Sequence, residues 1–284
     1  MSNPVFNNSA VFGDPRARGN RGARQQQGGA TGTLGGATGP VVEASTLEQM
    51  YGAPTATTRD TGRLTYDDVI VKTGGLLALL VVVAAATWNF APGLWPLGAI
   101  VGLVLGLVNA FKRNPSPALI TLYTVAQGVF LGGISLAFQN LTFDGKETQP
   151  IVLQAVVATF ATFGAALFLF RSGRVRVTPK FTRWLLIAMV GYLAYSLVNV
   201  VMMVFGAGGE YGPLRSGWLG VVVGLVAVGL AAASLIMDFD SIKRGVEQGV
   251  PAKFAWSAAF GLIVTLVWLY LEILRILAIL QGRD

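Results

Sequence analysis

From residue 69 onward the chain runs in long, uninterrupted apolar stretches divided by short polar breaks, at 69–90, 94–111, 117–139, 151–170, 181–205, 216–237 and 254–280. All but the second reach the roughly 20 residues that an α-helix needs to cross about 30 Å of hydrocarbon. The second, LWPLGAIVGLVLGLVNAF, is marginal but adequate. Because the stretches are continuously apolar and do not alternate with period two, barrel strands are disfavoured and helices follow. The pattern predicts an all-α, polytopic membrane helix bundle with seven transmembrane helices. A tight APGLWP turn predicts that the first two form a hairpin.

The chain before this region reads differently. Residues 1–66 hold 11 glycines, the low-complexity piece ARQQQGGATGTLGGATGP and few large apolar side chains to offset the entropy of ordering. They are expected to form a disordered cytoplasmic tail, with 67–284 as the transmembrane domain. Arg16, Arg18, Arg21 and Arg24 suit contact with anionic lipid, and without an aromatic stacking platform nucleic acid is not expected. The start lacks the apolar core of a secretory signal peptide. Asp67 and Asp68 precede the first apolar run, where carboxylates favour a helix N-terminus.

Composition narrows the chemistry. The 284 residues are 53% hydrophobic and 12% charged, with a mean hydropathy of +0.60. Neither cysteine nor histidine occurs, which removes disulfides, thiolate and imidazole metal ligands, and every triad that needs histidine. The connections PSP, FDGKETQP and RSGRVRVTPK are too short for a soluble catalytic domain. No enzymatic activity, cofactor or defined metal site is therefore expected.

The net charge of +7 has a topological explanation. With the N-terminus inside, seventeen basic residues fall on the cytoplasmic side, while Lys146, Arg215 and Arg283 fall opposite and Arg275 lies within the last helix. That bias predicts a multi-pass protein of the cell membrane with a cytoplasmic N-terminus and an external C-terminus.

Small residues recur as Gly98, Gly102 and Gly106, and again as Gly128, Gly132 and Gly133, a spacing that lets helix backbones approach closely. The stripe serves packing within the chain or dimerisation, so the protein is read as a monomer or weak homo-oligomer. Thr124, Gln127, Gln154, Thr159, Tyr192, Tyr195, Ser196 and Asn199 are polar positions inside apolar runs. They either bond between helices or line a wet path.

Two acidic positions stand apart. Glu272 lies deep in the seventh run, where an ionised carboxylate costs several kcal/mol unless it is paired, hydrated or protonated. Arg275, three residues on, has the spacing of a partner on nearly the same face. MDFDSIKRGVEQG places Asp238 and Asp240 at the end of the sixth run, at a helix terminus free to fray toward a pore mouth, with Lys243 and Arg244 at pairing distance from Asp240. Arg113 is an interfacial anchor or a charge-gating contact.

MDFDSIKRG, the final-helix segment LYLEILRIL at 269–277 and TLYTVAQGVFLGGIS at 121–135 resemble the Bax inhibitor family, in particular its YccA-like bacterial branch, over roughly 69–280. That resemblance implies a small multi-pass protein with a proton-sensitive acidic pair, here Asp240 and Glu272, controlling a cation leak. Asp238, Arg275, Arg113 and Gln127 would support the pair. It also implies calcium or protons as permeant or regulatory ions and a role in stress response. The departures are Glu272 where the family pattern has Asp, a longer interval from Asp240 to Glu272, and Gln127 where members often carry Glu. The expected function is a pH-responsive cation leak or transport protein, with a non-transporting regulator of a membrane protease, or of membrane-protein quality control, as the alternative.

Overall fold

The computed structural model describes residues 62–140, 142–143, 146–147, 150–206 and 212–282. The expected disorder of the tail up to residue 61, with Arg16, Arg18, Arg21, Arg24 and Arg59, lies outside the described residues. Seven helices are long and apolar enough to cross a membrane. They are α1 (Tyr66–Phe90), α2 (Trp95–Phe111), α3 (Pro117–Gln139), α4 (Ile151–Arg171), α5 (Pro179–Val204), α6 (Gly217–Glu247) and α7 (Ala255–Gln281). A two-residue hairpin, Thr142–Phe143 with Lys146–Glu147, interrupts the otherwise helical order between α3 and α4. The all-α membrane bundle is as the hydropathy pattern predicts.

The start of α1 is set by a capping box. Thr65 Oγ1 accepts from the Asp68 amide at 3.1 Å, and the Asp68 carboxylate accepts from the Thr65 amide at 3.2 Å. Residues 62–66 are not part of a loose tail, contrary to the expected boundary. Leu64 is buried and donates its amide to the Val250 carbonyl at 2.7 Å, while Ala252 donates to the Gly62 carbonyl at 2.8 Å. This short segment is sewn to the connection between α6 and α7.

The turn after α1 is tight, with a 3₁₀ turn at Pro92–Leu94, yet α1 and α2 pack chiefly on α3. Glycine is the reason. A Cβ at Gly98 would lie 2.7 Å from the Phe130 backbone nitrogen, and one at Gly102 equally close to Gln127 Nε2, so α2 lies directly on α3. Gly128 and Gly132 open the other side of α3 to Val83, Ala84 and Thr87 of α1. Both glycine stripes are therefore spent on packing inside the chain.

The largest departure from the sequence pattern is α6. It passes the expected end at 237 and continues to Glu247, because Asp238–Glu247 is itself a good helical segment with Asp240–Arg244 and Lys243–Glu247 pairs one turn apart. At 31 residues it spans about 46 Å, more than the hydrocarbon layer requires. Its charged last turns thus project from the apolar zone.

The centre of the bundle is α7. Sixteen of its residues are buried, against two each in α2 and α5, and it packs on α1, α3, α4 and α6. Most of the surface of α2 and α5 is left to lipid, and both carry rows of exposed Leu, Val and Ile.

Candidate functional site

Glu272 sits on α7 nine positions before its C-terminal end, only 4% exposed. A carboxylate at that depth needs partners, and three side chains supply them. Arg275, from the same helix, donates through Nη1 at 3.4 Å and makes a closer contact through Nη2. Tyr192 of α5 donates its hydroxyl to Glu272 Oε1, the oxygen that Arg275 Nη1 also meets. Arg215, in the connection that leads into α6, places Nη2 3.9 Å from Glu272 Oε1.

Arg215 is held in turn by α5. It donates to Tyr192 Oη and Ser196 Oγ, both at 2.5 Å, and its guanidinium lies 5.1 Å from the centre of the Tyr192 ring. The backbone beside it is clamped: Leu214 donates its amide to Asn199 Oδ1 at 3.0 Å, and Tyr195 donates its hydroxyl to the Leu214 carbonyl. Gly212, at φ +84°, packs so close to Asn199 that a Cβ there would lie 2.5 Å from the amide. The polar positions of the fifth run are thus a cradle for the 212–216 segment. A cleft of about 460 Å³ between α5 and α6, walled in part by Tyr192 and Tyr195, opens beside the cluster.

The two aspartates of α6 occupy different environments. Asp238 faces α7 and accepts from Thr265 Oγ1 at 2.9 Å; no cation partners it among the described residues. Asp240 turns away along α6 to Arg244, 2.5 Å distant. Neither touches Glu272. Helices α6 and α7 run antiparallel, with Gly224 against Ile276 and Asp238 against Thr265. Asp240 is consequently roughly twelve residues of α6, or about 18 Å, from the level of Glu272. The acidic pair implied by the resemblance is not assembled, because α6 continues straight and carries Asp240 toward the opposite end of the bundle.

The remaining candidates are also separate. Gln127 is buried at the α2–α3 contact against Gly102, with Oε1 unpartnered, and Arg113 is exposed without an ion pair among the described residues. Sequence reasoning brought Glu272 and Arg275 together correctly. It missed Arg215, whose signal was weak: a basic residue on the side where basic residues are scarce. Among the described residues no group of three carboxylates converges as a cation cage.

A family model described as Bax inhibitor 1 like matches residues 3–282, well beyond the 69–280 region in which the likeness was read from sequence. Among curated proteins, none matches the chain.

Proposed function

We propose that this chain, which belongs to the Bax inhibitor 1-like family of multi-pass membrane proteins, is a pH-responsive cation leak or transport protein. The observation that carries the reading is Glu272, a carboxylate buried at membrane depth and shared by α5, α7 and the segment that enters α6. Such a group is costly to keep and stays where it works.

In this arrangement the path is closed. A cation approaching the cluster meets two guanidinium groups and one carboxylate, and a net charge of +1 at 4 Å opposes it by about 4 kcal/mol at an effective dielectric of 20. The carboxylate is the only acidic group that holds Arg215 and Arg275 there among the described residues. Loss of that hold on protonation of Glu272 lets Arg215 withdraw with the 212–216 segment, which takes one of the two opposing guanidinium charges out of the way past Tyr192. Asp238, on the same face of the α6–α7 contact and without a cation beside it, provides the next carboxylate along the route. Calcium and protons are the candidate permeant ions, and the basic bias supports a cytoplasmic N-terminus. The reading includes no catalysis.

The test is ion flux from liposomes containing purified protein, measured against pH. Glu272→Gln, which mimics the protonated side chain, is expected to raise flux and flatten its pH dependence, while Asp240→Asn leaves the profile as in the wild type. Wild-type pH dependence in Glu272→Gln, or vesicles that stay impermeable at every pH, would sink the reading.

One observation favours the alternative of a non-transporting regulator of a membrane protease. The projecting end of α6 and residues 62–65 form a structured polar surface around a recess of about 460 Å³ lined by Arg63, Asp67, Glu247 and Gln248. Impermeable vesicles together with protease co-purification that is lost on substituting Lys243 and Glu247 would select it.

A further inference from the structure

Glu272 is met by more positive charge than it can neutralise. Arg215 and Arg275 each carry a full positive charge, and Glu272 is their one acidic partner among the described residues. Tyr192 and Ser196 contribute hydroxyls but no charge. The donors outnumber the acceptors as well. Arg275 is 7% exposed, and its Nε and that of Arg215 are both buried without an acceptor. A carboxylate satisfied twice over beside two guanidinium groups with spare N–H donors is the electrostatic profile of an anion site, since buried charge must be balanced.

The surroundings give access. The α5–α6 cleft reaches Tyr192, the side chain that bonds both Glu272 and Arg215. Gly191 and Gly229 line the cleft beside open space, for a Cβ at either would meet nothing within 4 Å.

We propose that the Arg215–Glu272–Arg275 cluster binds one monovalent anion, whose charge completes the neutralisation of the two arginines. Guanidinium N–H groups donate to a halide or to one oxygen of a phosphodiester, so the anion comes either from solution or from the headgroup of an anionic lipid. Binding is independent of whether the protein conducts cations, and is read without measuring flux.

The experiment uses the full-length chain in phosphatidylcholine nanodiscs and follows the thermal midpoint. In one arm chloride replaces gluconate at constant ionic strength; in the other, gluconate is kept and phosphatidylglycerol is added to the bilayer. At about ten times the dissociation constant the midpoint is expected to rise by roughly 3–6 °C. A rise with chloride assigns a solution anion, and a rise with phosphatidylglycerol assigns the lipid headgroup. Arg215→Gln should abolish the shift and Arg215→Lys, which keeps the charge, should retain it. Arg275→Gln, which leaves Glu272 neutralised by Arg215 alone, should abolish the shift as well, so the proposal stays falsifiable even if Arg215→Gln does not fold. No shift in either arm, or an equal shift in Arg215→Gln and the wild type, overturns the proposal.

Discussion

Glu272 is tolerable at its depth because part of its counter-charge is built into its own helix. The three-residue spacing to Arg275 lets the pair form within α7, and Tyr192 and Arg215 then complete it from outside. Removing Glu272 strands two buried guanidinium groups, so Glu272→Leu should destabilise the protein by about 3–5 kcal/mol, whereas Arg275→Leu, which leaves Glu272 facing Arg215, should cost less. The double variant should lose less than the sum, because only Arg215 then lacks its partner. Denaturation of the three variants in a common detergent provides the comparison, and strict additivity would refute the pairing. The pair was legible in the sequence because a carboxylate inside an apolar run is conspicuous and its helical spacing to Arg275 is short. Arg215 was not legible, since a residue in a connection has no periodicity to reveal which way it reaches. Asp238 and Asp240 were indistinguishable until the helix was known to continue through them: successive helical residues turn by about 100°, so only one of the two can face α7.

At the scale of elements, the contacts among α1, α2 and α3 depend on the absence of side chains. A Cβ at Gly132 would press on the Ala84 carbonyl and lie 2.9 Å from Thr87 Cβ, whereas one at Gly229 would meet open space. Gly132→Ala is therefore expected to cost about 1–3 kcal/mol by forcing α1 away from α3, and Gly229→Ala to fall within about 0.5 kcal/mol of the wild type. Thermal midpoints of the two variants measured together check this, and equal values would mean that the helix contact is not close. All the helix boundaries but one follow the apolar runs to within a few residues. The end of α6 does not, because hydropathy reports where lipid contact stops, while backbone hydrogen bonding continues as long as local pairs such as Asp240–Arg244 support it.

Across the whole molecule, seven crossings put the connection after α4 and the end of α7 on opposite sides of the membrane. Cysteines introduced at Ser172 and Gly282, into a chain that has none, should therefore react with an impermeant thiol reagent from opposite faces. Reaction from the same face would mean that one helix re-enters. The number of helices could be read from hydropathy alone, but their arrangement could not: every run is apolar on all sides, and nothing in the pattern marks α7 as the centre and α5 as the rim. That arrangement bears on how the protein is made. The helix on which α1, α3, α4 and α6 pack is the seventh in chain order, so α1, α2 and α3 can join through their glycines before it is made. Arg275 accompanies Glu272 on the same helix, whereas Tyr192 and Arg215 reach the pair from other elements. A chain interrupted before residue 272 therefore lacks the carboxylate that joins α5 and Arg215 to α7.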